Sequence, residues 1–457
     1  MLEPPRRLIA LALLACARNA VADPTEPPPP AAPVTAPDGA ARNLEQQPEP
    51  EHVRGLFVFD WLGTGASYLV RAVFAPARGV LYLQARYDLV TKIRDVFVND
   101  AGTLGVYPDG SYESTFGLSY GARAFAKNLF DHDEELSLSA KTGGAYRAAA
   151  QLKFEADELA GAPIYVKARA RYEDNLNAYF AGIGNGPHLE GMELAATASD
   201  VATRFSQKRF LGALSTGAVM GPIKLGGSLI FNKRTFGTSG DGASDPSVEQ
   251  VYDTSTLRGF DTGFSNLELT ADAELDTRDT RGPTESGTRV RAFFGGGSLV
   301  QSARYAHYGA EAAYYLTPGW HRRTLIFRAV LEGVIDRDDD IPFTELPRLG
   351  GAYFLRGYHT DQFRDKIAGA GTVEYHYPIH NNVSGAFFIE AGKVSRTYDE
   401  LLGAGRGRDW HIGYGGGLLF HTRKSIVIRT DLAYGDGLNF YLSTDVLDAF
   451  RNREREL

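Results

Sequence analysis

Ten histidines are scattered through the 457 residues, with no H-E-x-x-H pair to hold a catalytic zinc, no G-x-S-x-G elbow and no phosphate-binding P-loop. Asp336, Asp338, Asp339 and Asp340 crowd carboxylate oxygens together, but without the spacing of a calcium loop they read as solvated, and no metal is assigned. No cofactor and no enzymatic reaction are expected. What remains is arginine near carboxylate. Leu355-Arg356-Gly357-Tyr358 places a guanidinium before a glycine that lets the backbone turn sharply. Glu374 and Glu390 are carboxylates of the two segments that follow it. Leu257-Arg258-Gly259-Phe260 repeats the arginine-glycine-aromatic pattern, without the double glycine (Gly350-Gly351) that precedes the later copy.

The elements that carry these residues have a period of two. Val373, Tyr375 and Tyr377 alternate with Thr372, Glu374 and His376, while Phe387, Ile389 and Ala391 alternate with Phe388 and Glu390. Both glutamates therefore stand on the face opposite the apolar one. The same alternation runs through Leu267, Leu269, Ala271, Ala273 and Leu275 against Glu268, Thr270, Asp272, Glu274 and Asp276, and persists with turn-rich separators to Phe440. Mean hydropathy is only −0.24, as expected where lipid-facing and lumen-facing side chains cancel. No apolar run of membrane-helix length follows the N-terminus. The pattern predicts an all-β fold: a transmembrane antiparallel β-barrel over residues 104–450. Fifteen to sixteen segments can be counted, with 201–220 readable as one long strand or two short ones. Single-chain bacterial barrels have even strand numbers, which favours sixteen. The first strand is expected near 112–125 and the last at 437–445.

A net charge of −8 argues against nucleic acid as a partner. Arg6 and Arg7, the apolar run 8–15 and Ala20-Val21-Ala22 form an export signal over 1–22. Leu13-Leu14-Ala15-Cys16 also has the form of a lipobox, in which case Cys16, the sole cysteine, would carry lipid. Both readings stand. Residues 23–55 are a proline-rich linker. Residues 56–100 are apolar and amphipathic, with Pro76 at a helix start, and predict a short helical segment that plugs the barrel, lies under it, rests on a membrane surface or packs at the barrel rim. Residues 451–457 form a charged tail.

Three stretches resemble the BamA/TamA outer-membrane assembly family, also called the bacterial surface antigen family. Asp276, Arg278 and Asp279, with Pro283 and Gly287, resemble its strand-and-turn signature. Leu349-Gly350-Gly351 leading to Leu355-Arg356-Gly357-Tyr358 is the most specific match, and Phe387-Phe388-Ile389-Glu390-Ala391-Gly392 resembles a family strand with Glu in place of Asp. Tyr179-Phe180-Ala181-Gly182-Ile183-Gly184-Asn185 is a weaker fourth. The resemblance covers roughly 104–450 and implies a bacterial outer-membrane location. It implies a loop over about 336–368 that folds back into the lumen as a lid, with Arg356 on Glu374 and Glu390. Motif order makes Arg258 an ordinary loop residue. The implied function is outer-membrane protein or lipid assembly or translocation, by lateral opening between first and last strands. The implied partners are outer-membrane lipids and unfolded outer-membrane proteins or other envelope components; oligomeric state stays open. One departure matters: no polypeptide-transport-associated (POTRA) domain fits between Asp23 and Tyr107. The alternative is a passive pore or structural surface-antigen barrel without insertase activity.

Overall fold

The computed structural model describes residues 97–443, apart from segments at 131–133, 160, 186–201, 241–244, 281–282, 300–303, 319–322, 337–340, 381–382, 404–409 and 422–425. The expected signal, Cys16, the linker, the helical segment up to residue 96 and the charged tail lie outside the described residues.

One side of the barrel is built from β1 (Leu104–Glu113), β2 (Gly117–Lys127), β3 (Glu135–Gly143), β4 (Tyr146–Ala156), β5 (Ile164–Phe180), β6 (Thr203–Met220), β7 (Ile223–Thr238) and β8 (Phe264–Asp276). The other side takes β9 (Gly287–Leu299), β10 (Arg304–Leu316), β11 (Thr324–Asp336), β14 (Ile367–His380), β15 (Val383–Ser395), β16 (His411–His421), β17 (Ile426–Tyr434) and β18 (Leu438–Ser443). Each pairs antiparallel with its neighbour, and β1 pairs with β18, so sixteen strands close into one barrel. Two further short strands, β12 (Arg348–Leu349) and β13 (Phe363–Arg364), pair only with each other inside the loop between β11 and β14.

The period of two explains the wall. On β8, Leu267 and Leu269 are exposed outward, whereas Asn266, Glu268, Thr270 and Asp272 are buried toward the lumen. The outward band continues through Leu118, Leu138, Leu152, Phe210, Leu229, Phe294, Phe327, Val373, Ile389 and Leu432. This is the apolar belt of a membrane barrel. Closure satisfies the strand edges that an open sheet would leave bare.

One strand reading changes and one open alternative is resolved. The span 112–125 is not one strand: it holds the end of β1, the turn at 114–116 and most of β2. Polar–apolar alternation runs through that turn, and only Gly117 marks it, with φ +84°. Residues 203–220 form a single strand rather than two.

β5, β6 and β7 are long strands of 17, 18 and 16 residues. Among the described residues, which end at Ser443, β1 meets β18 at Ser111↔Ser443, Tyr112↔Leu442 and Glu113↔Tyr441. That junction is the seam.

At the end carrying the longer loops, an aromatic cluster caps the mouth. Phe180 and Phe205 pack with Phe343 of the β11–β14 loop and with Val248, Val251, Tyr252, Leu257 and Phe260 of the β7–β8 loop. That last loop contains the short helix α1 (Val248–Val251).

Candidate functional site

The loop between β11 and β14 turns into the lumen, and its apolar residues hold it there. Leu349, Phe354, Leu355, Tyr358 and Phe363 pack against Phe293, Val330, Ala368, Ala370 and Val394 of the wall. Leu355 is fully buried with φ +66°, a left-handed backbone that a branched side chain rarely adopts.

Next to it, Arg356 is 4% exposed. Its Nε donates to Glu390 Oε1 at 3.0 Å and its Nη2 to the same oxygen at 2.6 Å. Nη2 also donates to Glu374 Oε2 at 2.8 Å, and Nη1 to Asp431 Oδ2 at 3.3 Å. The backbone N–H of Arg356 donates to Glu390 Oε2 at 2.5 Å. The guanidinium also sits 3.4 Å from the ring centre of Phe388, a cation–π contact. Burial by itself would lower the arginine pKa; the charges of Glu390, Glu374 and Asp431 outweigh it and hold the pKa well above the ordinary value. A second cation completes the cluster: Arg429 donates to Glu374 Oε2 at 3.0 Å and to Asp431 Oδ2 at 2.6 Å.

Glycines on both the loop and the wall make this approach possible. Gly357 has φ +99°, and a Cβ there would lie 2.6 Å from the carbonyl carbon of Tyr434. On the wall, Gly413, Gly415 and Gly417 pair with Glu390, Phe388 and Ala386, so β16 presents no side chain to the lumen at this height. A Cβ on Gly413 would lie 1.9 Å from the Arg356 carbonyl oxygen, and one on Gly417 would lie 2.1 Å from Asp431 Oδ1. The bare strand lets Arg356 reach across β16 to β17.

The loop tip touches both sides of the seam. Tyr441 of β18 accepts the Gly357 N–H at 3.2 Å and donates its own O–H to the Tyr358 carbonyl at 2.9 Å. Tyr358 donates to the carbonyl of Ile412 at 3.2 Å. On β1, Glu113 accepts the Thr360 hydroxyl at 2.6 Å, and Thr115 in the following turn accepts the Thr360 N–H at 3.1 Å. His359 Nδ1 lies 3.2 Å from Thr115 Oγ1, and its ring stacks on Tyr179. Burial and the charge of Arg204 hold the His359 pKa below the usual histidine value.

Arg356, Glu374 and Glu390 thus meet as the parity of the strands and the family motif suggest. Phe388 of the same family stretch joins them, as do Asp431, Arg429 and Tyr441, three residues that the sequence reading did not select. The alternation of Arg429 and Asp431 with Thr430 and Leu432 on β17 was the available signal. Arg258 is exposed at the mouth. Asp276, Arg278, Asp279, Pro283 and Gly287 lie at the opposite end of the barrel, at the β8–β9 turn, apart from the Arg356 cluster. There Arg278 grips Asp276 through Nε and Nη2 at 2.9 and 2.8 Å, and Asp279 accepts the N–H groups of Thr280 and Glu285 at 2.8 and 3.1 Å. Gly287, at φ +116°, passes within a Cβ's width of Thr277 and Arg278. These residues satisfy one another and shape the turn. The fourth motif crosses the mouth: Gly184 donates to the Arg364 carbonyl at 2.8 Å, and Asn185 accepts the Val394 N–H of β15 at 3.0 Å.

Fold and site together define a class: closed sixteen-stranded membrane barrels with an arginine-bearing loop folded into the lumen. The Omp85 superfamily domain matches residues 128–436, most of the barrel. The chain belongs to the Omp85 superfamily, and the BamA/TamA-type resemblance read from its motifs stands. Among solved structures, BamA from Haemophilus ducreyi lacking POTRA domains 1–3 is similar, with a TM-score of 0.52 at 14% identity over 74% of this chain and 69% of that one. CdiB from Acinetobacter baumannii and CdiB from Escherichia coli each give 0.47 at 10% identity, with this chain spanning 59% and 62% of their lengths. No curated protein sequence matches the chain.

Proposed function

We propose that this barrel serves outer-membrane protein or lipid assembly or translocation in the bacterial outer membrane. In this reading the seam between β1 and β18 opens laterally, and the Arg356 loop is the lid that holds it shut. One observation carries the reading: the loop straddles the junction of the first and last strands, through Tyr441 on one side and Glu113 on the other. No covalent chemistry is assigned. Outer-membrane lipids and unfolded outer-membrane proteins or other envelope components are the partners this mechanism needs.

The test is to lock the seam. Ser111 and Ser443 are direct cross-strand partners, and such pairs fall within disulfide reach. With Ser111→Cys and Ser443→Cys, oxidation should make cells that depend on this barrel accumulate unfolded outer-membrane precursors, and reductant should relieve the block. Ala140→Cys with Ala150→Cys, a partner pair on β3 and β4, should have no such effect. If the locked barrel supports assembly as well as the reduced one, the passive-pore reading takes its place.

A further inference from the structure

On the side of the inward loop away from Arg356, the lumen holds a cavity of about 310 Å³ between the loop and β1–β6. At ~30 Å³ per water this is room for about ten waters. Its wall is basic in an acidic chain. Among the described residues, nine arginine and lysine side chains line it against four carboxylates. Lys153 and Arg234 pair with Glu155 and Glu345 at 2.7 and 3.2 Å. Cations outnumber carboxylates along the cavity even with these two counted.

The excess can be placed on particular residues. Glu173 serves two cations, Arg171 and Arg209. Arg123 donates to the neutral hydroxyl of Ser137 at 3.4 Å. Arg364 is buried between the Phe180 and Phe343 rings and donates to the carbonyls of Tyr179 and Asp361 at 2.9 and 3.2 Å. Its Nε has no hydrogen-bond partner among the described residues. Burial and, against the pull of Asp361, the charges of Arg348 and Arg234 hold the Arg364 pKa below the ordinary arginine value. Ser111 and Glu113 of β1 and Tyr441 and Ser443 of β18 line the same cavity, so it abuts the seam.

We propose that this cavity binds a multiply charged, phosphate-bearing anion. Planar guanidinium donors match phosphate oxygens two at a time, and a single carboxylate would leave most of the excess charge uncancelled. Free phosphate esters in the lumen water and the headgroup phosphate of a lipid entering beside the seam share this chemistry. The site stands whether or not the barrel assembles anything.

Calorimetric titration of the full chain in non-ionic detergent with inorganic pyrophosphate tests it. Saturable binding is expected that weakens as sodium chloride rises and falls roughly 10-fold or more in Arg123→Gln/Arg171→Gln, the scale of lost charge-assisted hydrogen bonds. Arg289→Gln, whose side chain pairs with Glu274 at 3.0 Å away from the cavity, should bind as the parent does. Heat-modifiable migration confirms that each variant is folded, and Arg123→Gln alone gives the same reading if the double variant is not. Glycerol 3-phosphate and dihexanoyl phosphatidic acid then compete with pyrophosphate. Equal potency assigns a soluble ester, and far greater potency of the lipid assigns a headgroup. Failure of both to compete, no saturable binding, or equal affinity in the parent and the double variant overturns the proposal.

Discussion

Arg356 makes five donor contacts to three carboxylates while almost wholly buried. Removing one partner from such a group leaves uncompensated charge behind, at about 3–5 kcal/mol. Arg356→Ala should therefore release the loop, and limited proteolysis should cut within 341–366 in that variant but not in Arg258→Ala. Gly413→Ala should do the same without touching a charge, because its methyl would collide with the Arg356 carbonyl; wild-type protease resistance in Gly413→Ala would mean the loop docks elsewhere. Parity placed Glu374 and Glu390 on the lumen face, and the family motif joined Arg356 to them. Asp431 was not legible, because alternation gives the face of a residue but not its height. Only the register, in which a glycine-faced β16 stands between Glu390 and Asp431, brings the third carboxylate into reach.

At the level of elements, the β1–β2 turn and the inward loop meet through a titratable contact. The depressed pKa of His359 means that its neutral form is favoured when docked. That contribution is complete above the unfolded value, about 6.5, and is lost as pH falls through the lowered docked value. Protease sensitivity of 341–366 should thus rise between about pH 7 and pH 5, and His359→Gln should flatten the profile. A profile unchanged in His359→Gln would place the dependence on other groups. The strands themselves were readable from period alone, but their ends were not always. Alternation carries smoothly from Tyr112 through Phe116 to Tyr120, so the hairpin turn was hidden in what looked like one strand. The mouth cluster was hidden more deeply: Leu257 and Phe260, part of a discarded motif copy, pack beside Phe343 from a loop some eighty residues later.

For the whole molecule, circular dichroism in detergent should show dominant β-structure, and the folded band should migrate anomalously until boiled, as backbone pairing closed on itself resists detergent. A mainly helical spectrum is incompatible with sixteen paired strands. Fold class was legible because a membrane barrel writes its two environments, lipid and lumen, into successive residues. The length of β5–β7 was not, since loop and strand residues trade places without altering the alternation.

The order in which these contacts become available has a kinetic meaning. Arg356 reaches Glu374, Glu390 and Asp431, which follow it by 18, 34 and 75 positions. Tyr441, which fastens the next residue, comes 84 positions after Gly357. The loop therefore emerges before most of its receptors, and loop-closure entropy delays contacts that span such distances. Until β17 is in place the guanidinium has only part of its partners, and until β18 arrives the tip has no Tyr441 to rest on. Docking is thus a late event that reports a finished cylinder: a chain without its last two strands would keep this segment wet and cleavable.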